Sequence, residues 1–331
     1  MNKKICGING FGRFGLHLLR YWLYNIDKSK FDIAFINDDY LSINDIYKII
    51  INDKHVNFNN FKIKKKTNSL VFLKNRKQIS NIQITKNNNK KISWVGVPDI
   101  FLECSGKNTK KKDCKKFLSG KTKLVIISAT SYDCDQTLIY GFNHEQYKKE
   151  SKVISYGSCT VDAYVPLANW INKSFKILNS DLNIIHNTPD YKIKEYGVDS
   201  IIVRSCTLET VGPQLLYFLN KSNFHINYTM IPYSGVSIID MRFQIKKKTN
   251  VNTFKKLIKQ EINNKSLKKL YSLEKKDKHP NYFKLSNYTT NLIEETIKIK
   301  DNNVFIHAYF DNENSANRYF DLVNYVCEQN S

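Results

Sequence analysis

Residues 4 to 15 read Lys4-Ile5-Cys6-Gly7-Ile8-Asn9-Gly10-Phe11-Gly12-Arg13-Phe14-Gly15. An apolar, strand-like run enters the spacing Gly10-x-Gly12-x-x-Gly15. Leu16, Leu19 and Leu23 then recur at helical intervals. Each glycine has a physical task. Gly10 permits a tight turn, Gly12 lets a pyrophosphate approach the backbone, and Gly15 lets helix and strand pack closely. A second strand at 31–36 ends in Asn37-Asp38, where an acid is placed to hold the ribose hydroxyls of a dinucleotide. The order of strand, glycine turn, helix, strand and acid predicts an α/β, Rossmann-like domain that binds NAD.

Outward from that turn, residues 41–98 are rich in Lys and Asn. They read as a peripheral β elaboration, with strand candidates at 70–72 and 82–84. Regular alternation resumes with a strand at 99–104, followed by Ser105-Gly106. A basic helical segment carries Cys114, Phe117 and Leu118, and a strand at 124–127 is closed by Ser128. Cofactors lie at the carboxyl ends of parallel strands, so Ser105, Gly106 and Ser128 are candidate contacts.

A second chemical feature is Ser158-Cys159-Thr160. It follows the β-like pair Val153-Ile154 and precedes Ala163, Leu167, Trp170 and Ile171 at helical spacing. A cysteine at a helix start is expected to favour the thiolate, lowering a thiol pKa ordinarily about 8.5. Such a thiolate suits covalent catalysis, and the other reading is a buried structural cysteine. A strand at 182–186 ends in His186, 27 residues downstream, where it is a candidate general base. Strands of antiparallel character follow at 225–232, 236–245 and 296–310, the last interrupted by the turn Asp301-Asn302-Asn303. A helix is expected at 253–262 with Asn252 or Thr253 as cap, and a final helix at 315–326.

The chain has 331 residues, which favours two domains, and no apolar run approaches the length of a membrane span. Met1 leads almost at once into the first strand, leaving no room for a signal peptide. Seven irregularly spaced cysteines without a Cys-x-x-Cys pair predict a reduced, cytoplasmic protein with no metal site. The net charge of +22 fits either a polyanion-binding face or solvated lysines scattered over the surface. The runs Lys64-Lys65-Lys66, Lys110-Lys111-Lys112 and Lys246-Lys247-Lys248 lie far apart among polar residues. They favour the second reading, with nucleic acid bound only weakly and non-specifically.

Five segments occur in a telling order: Gly7-Ile8-Asn9-Gly10-Phe11-Gly12-Arg13, Ile36-Asn37-Asp38, Trp94-x-Gly96-Val97, Ser158-Cys159-Thr160 and Asp311-Asn312-Glu313. Together they resemble the glyceraldehyde-3-phosphate dehydrogenase family, which includes the erythrose-4-phosphate dehydrogenases. The stretch 135–143 and the ending Ala316-Asn317-Arg318 lean towards the erythrose-4-phosphate branch. The resemblance runs from residue 3 to 325. It implies an NAD-binding domain at 1–157, to which a C-terminal helix at 313–331 returns, and an α+β catalytic domain with an antiparallel sheet at 158–312. It further implies an NAD-dependent oxidoreductase of a small aldehyde, with Cys159 as nucleophile and His186 as base. Gly10, Phe11, Gly12, Arg13, Phe14, Gly15, Asn37, Asp38, Ser105, Gly106, Ser128 and Asn312 would meet the cofactor. Ser158, Thr160, Arg204 and Thr207 would meet the substrate, and the protein would be a homo-oligomer, tetramer or dimer.

Three departures bear on the substrate. The family's Cys-Thr-Thr-Asn is here Cys159-Thr160-Val161-Asp162, which sets a carboxylate on the first helical turn. The segment from His186 to Ser200 is shorter than the family's S-shaped loop and lacks its phosphate-binding arginine. Met230 stands where the family has a second arginine, and Cys206-Thr207 replaces its Thr-Gly. Methionine cannot make a bidentate contact with phosphate oxygens. Nucleophilic chemistry is therefore expected to persist while phosphate recognition is altered. The competing reading is a non-catalytic, basic nucleotide- or RNA-binding protein on the same scaffold.

Overall fold

The computed structural model describes residues 3–330. The chain divides into two compact units, one of residues 3–157 with 316–330 and one of residues 158–315.

The first unit alternates strand and helix: β1 (Lys4–Asn9), α1 (Arg13–Tyr24), β2 (Phe31–Asn37), α2 (Ile43–Asn52), β3 (Lys62–Lys65), β4 (Ser69–Lys74), β5 (Lys77–Thr85), β6 (Ile100–Glu103), α3 (Lys111–Cys114), β7 (Leu124–Ile127), β8 (Gln136–Thr137) and β9 (Val153–Ser155). They form one sheet in the order β3-β4-β5-β2-β1-β6-β7-β9-β8. Every pair is parallel except β3–β4 and β4–β5. The strands β6 and β7 are buried at every position, as parallel strands covered on both faces must be. The chain winds one way from β1 to β2 and the other way to β6, so β1 marks the switch point where open α/β sheets bind ligands.

The segment 41–98 is not all β. Ser42 caps α2, accepting from the Asp45 N–H while the Asp45 carboxylate accepts from the Ser42 N–H. This capping box, with Ile46 and Ile50 one turn apart on the buried side, makes a helix within a polar stretch.

The second unit contains α4 (Cys159–Phe175), β10 (Ile177–His186), α5 (Asp190–Tyr196), β11 (Ile202–Val203), α6 (Leu208–Leu215), β12 (Phe224–Met230), β13 (Ser237–Ile245), α7 (Val251–Asn264), β14 (Tyr271–Glu274), β15 (Thr290–Ile293), β16 (Lys298–Lys300) and β17 (Asn303–Phe310). Its sheet runs β11-β12-β10-β13-β17-β15-β14, with β16 on β17. The sheet is mixed rather than purely antiparallel, since β10–β12 and β14–β15 are parallel. The cap of α7 is Asn250 rather than Asn252 or Thr253, because its side chain reaches the Thr253 N–H at 2.9 Å. The last helix, α8 (Asn312–Gln329), begins earlier than its apolar pattern, and the division between units falls within it. In the first unit Tyr319 of α8 donates to the Ile126 carbonyl at 2.6 Å.

α4 contains a proline that the fold accommodates by a specific device. Pro166 has no N–H, so one rung of the helix ladder is lost. The buried Tyr271 hydroxyl enters there, donating to the Ala163 carbonyl (2.9 Å) and accepting from the Leu167 N–H (3.2 Å).

Candidate active site

Ser158 is the N-cap of α4, its hydroxyl accepting from the Val161 N–H, so Cys159 is the first residue of a 17-residue helix. Cys159 Sγ lies 3.6 Å from His186 Nε2 at the end of β10. His186 Nδ1 is 2.8 Å from the Asn187 carbonyl oxygen. A carbonyl only accepts, so Nδ1 carries the proton and the Nε2 lone pair faces the sulfur. Asn187 is held in turn by the Ser237 hydroxyl and the Gly235 carbonyl. The imidazole is thus fixed in tautomer and direction.

The protonation state departs from the sequence expectation. Burial pushes the Cys159 thiol well up, and Cys206, Asp311 and Asp162 add to it. Burial also depresses His186. Both shifts favour a neutral thiol beside a neutral imidazole at rest. Burial and the neighbouring carboxylates oppose the effect of the helix start.

The hydroxyls of Ser158 and Thr160 are 3.0 Å apart, and Ser158 and Thr207 are 3.3 Å apart. Thr207 precedes the first turn of α6, and Cys206 Sγ reaches the Thr160 hydroxyl at 3.7 Å. Three of the four expected substrate residues therefore come together. Arg204 is exposed, and its guanidinium lies over the Tyr196 ring, 5.8 Å from the centroid. Met230 pairs in register with His186.

In the first unit the glycine turn separates scaffold from ligand space. A Cβ on Gly10 would clash with the Ser105 backbone, and Gly10 has φ +96°. A Cβ on Gly15 would strike the Gly10 carbonyl. Gly12, the N-cap of α1, has open space where its Cβ would be, and the first turn of α1 carries no acid. That is a fitting cradle for a pyrophosphate. Asp38 accepts from the N–H groups of Phe11 (2.8 Å), Tyr40 (2.9 Å) and Leu41 (3.0 Å). A carboxylate has about four lone-pair positions, so roughly one stays open to a ribose hydroxyl.

Several of the expected contact residues also hold the scaffold. The Asn37 amide donates to Asn9 and the Asn87 carbonyl and accepts from Thr85 and the Asn87 N–H, which fills its capacity. Phe14 packs edge-on against Tyr156 and Tyr319. Phe11 is buried, and Arg13 pairs with Asp53. The Ser105 hydroxyl donates to Glu103 and accepts from the Lys107 N–H. The Ser128 N–H bonds to the Glu103 carbonyl. Gly106 has φ +69° with open space at its Cα. Asn312, at the start of α8, is exposed.

Residues that the sequence did not single out include Glu103, whose carboxylate accepts from Asn9, Asn108 and Ser105. A charge ending the apolar run 100–102 was its only signal. Tyr228, whose ring lies 5.5 Å from that of His186, was hidden in an ordinary strand pattern.

Residues 4–111 match the family described as glyceraldehyde 3-phosphate dehydrogenase, NAD binding domain. Over nearly its full length the chain is similar to curated relatives. Glyceraldehyde-3-phosphate dehydrogenase 1 of Bacillus cereus is 27% identical, covering 98% of each chain. The cytosolic glyceraldehyde-3-phosphate dehydrogenase of Pisum sativum is 27% identical, covering 99% of this chain and 100% of its own. Glyceraldehyde-3-phosphate dehydrogenase 4 of Caenorhabditis elegans is 26% identical over 99% of each. Over its length the chain is similar to the glyceraldehyde-3-phosphate dehydrogenases, and residues 4–111 match their NAD-binding domain. The match to an NAD-binding domain lies within the Rossmann-type unit and supports NAD as the cofactor.

Proposed function

We propose that this protein is an NAD-dependent aldehyde dehydrogenase that works through a covalent intermediate on Cys159 and has weakened selection for phosphorylated substrates. The observation that carries the reading is the Cys159–His186 pair, with its tautomer fixed, in a chain built on an NAD-binding domain.

Cys159 Sγ adds to the aldehyde carbon while its proton passes to His186 Nε2. The imidazolium returns that proton to the new oxyanion, giving a thiohemiacetal. The Cys159 backbone N–H, at the head of α4, adds a donor for the developing charge. Nε2 then removes the hydroxyl proton as the carbon is oxidised to a thioester, which phosphate or water cleaves. Bound NAD supplies the two-electron acceptor for this oxidation. The Gly12 backbone and α1 N-terminus would hold its pyrophosphate, and Asp38 its ribose, which favours NAD over NADP.

Altered phosphate recognition is supported by Met230 opposite His186 and by Arg204 stacked over Tyr196. A charge-assisted hydrogen bond is worth roughly 1.5–3 kcal/mol, so two absent guanidinium contacts lower phosphate discrimination by about two to four powers of ten. NADH formation is measured with glyceraldehyde 3-phosphate, erythrose 4-phosphate and their unphosphorylated counterparts, with and without inorganic phosphate. Cys159→Ala abolishes the signal, and Met230→Arg enlarges a small wild-type preference for phosphate. A wild-type preference above about a thousandfold that collapses in Arg204→Ala would show that the anion site was rebuilt.

The reading includes a homo-oligomer in the cytoplasm. Edge strand β11 and its flanks expose Val198, Ile201, Val203 and Tyr217, surface that an oligomer would cover. A mass by light scattering equal to the 38.7 kDa chain would refute this assembly.

A further inference from the structure

Beside the catalytic pair lies a side chain with no part in the steps above. Strands β10 and β12 are parallel, with Ile184 opposite Tyr228 and His186 opposite Met230. Side chains two apart share a face, so Tyr228 stands on the His186 side of the sheet. Its ring lies 5.5 Å from the His186 ring, tilted by 38°. The same face carries the start of α4, as Tyr164 packs on Phe224 and bonds to Ser180. Cys206, just before α6, is joined to Thr160.

Three further observations give the phenol a direction. Its acidity is weakened by burial first and then by Cys159 and Cys206, the two thiols of this face. Arg204 acts on it in the opposite sense, and the Arg204 N–H bonds to the Tyr228 carbonyl at 3.2 Å. Tyr228 is half-buried, and among the described residues no hydrogen bond ends on its hydroxyl, which leaves that hydroxyl available to a ligand. A neutral phenol is both donor and acceptor, which suits a hydroxyl and gives little advantage to a dianion.

We propose that Tyr228 is a specificity residue, its hydroxyl bonding a hydroxyl of the substrate held on Cys159, so that the site selects short, unphosphorylated hydroxyaldehydes over plain aldehydes of the same length. The proposal rests on the covalent reading of Cys159 given above. It concerns which aldehyde is selected, whereas that reading concerns how any aldehyde is oxidised.

The test uses the whole protein and two probes, glyceraldehyde and propanal. Wild type prefers glyceraldehyde in kcat/KM, and Tyr228→Phe lowers the ratio of the two about tenfold, the weight of one neutral hydrogen bond. Tyr228→Ala gives a similar loss and admits longer aldehydes. A parallel measurement needs no turnover: glyceraldehyde protects Cys159 from iodoacetamide better than propanal does, and Tyr228→Phe removes the difference. An unchanged ratio in Tyr228→Phe, or unchanged protection, overturns the proposal. Equal losses for both aldehydes overturn it as well, since the phenol would then support the structure or the common chemistry. NADH formation surviving in Cys159→Ala would instead overturn the covalent reading, whatever the ratio in Tyr228→Phe.

Discussion

Cys159 and His186 combine correct geometry with unexpected charge. An ion pair would react with alkylating reagents at a rate nearly flat from acid to neutral pH. A neutral pair, with a raised thiol and a depressed imidazole, does not. The alkylation rate of Cys159 in the free protein is expected to climb steadily through pH 8.5, and a plateau below pH 7 would mean that the thiolate forms at rest. Folding carries a matching sign. The folded pKa of His186 is depressed, so the unfolded chain takes the proton first. Its stability contribution is complete above the unfolded value of about 6.5 and is lost as pH falls through the depressed one. His144, also lowered by burial, shares this slope, so His186→Asn reduces the acid loss of Tm without removing it. The spacing of Gly10, Gly12 and Gly15 was legible because sterics act within one turn. The engagement of Asn37 was not, since Asn9, Thr85 and Asn87 meet it only after three strands assemble.

The element that positions Cys159 is α4, and its weak point is Pro166. Tyr271, distant in sequence on β14, closes the gap with one hydroxyl that bonds Ala163 and Leu167. Tyr271→Phe leaves a buried carbonyl and N–H unmet at little change in volume, at a cost of about 1–3 kcal/mol. Denaturant titration should show that loss with an unchanged m-value, while Tyr271→Leu costs more because a buried ring also disappears. A loss under about 0.5 kcal/mol would mean that α4 relaxes around the proline without help. Helices with apolar stripes, such as α1, α7 and α8, were readable from spacing. The start of α8 was not, because Asn312 to Ser315 are polar and follow Asp311 directly. In α2 the Ser42-x-x-Asp45 signature was present but lost among Lys and Asn. The parallel pairing of β10 with β12 had no local signal at all, since direction depends on where α5 and α6 return the chain.

At the scale of the molecule the dominant quantity is charge, +22 from 52 basic and 30 acidic residues. Its distribution decides between a nucleic-acid face and a solvated surface. Several lysines are spent on local acids: Lys3 with Asp32, Lys30 with Glu328, Lys107 with Asp39, Lys111 with Asp135 and Lys278 with Glu274. Lys64 and Lys65 lie on β3 at one edge of the first sheet, whereas Lys246 to Lys248 follow β13 in the other unit. The alternative of a non-catalytic RNA-binding protein requires more than attraction. It requires affinity that survives physiological salt and prefers one sequence. Scattered cations give neither, because each phosphate contact is offset by counterion release. Binding to a labelled single-stranded RNA is therefore expected to be measurable at about 50 mM salt and to fall by orders of magnitude near 200 mM, with no preference among RNAs of equal length. Saturating NAD should leave that weak binding largely unchanged, since Lys64 and Lys65 lie on β3, four places from β1 in the sheet order. Submicromolar, sequence-selective binding at about 150 mM salt, displaced by NAD, would place RNA on the glycine turn and overturn the dehydrogenase reading.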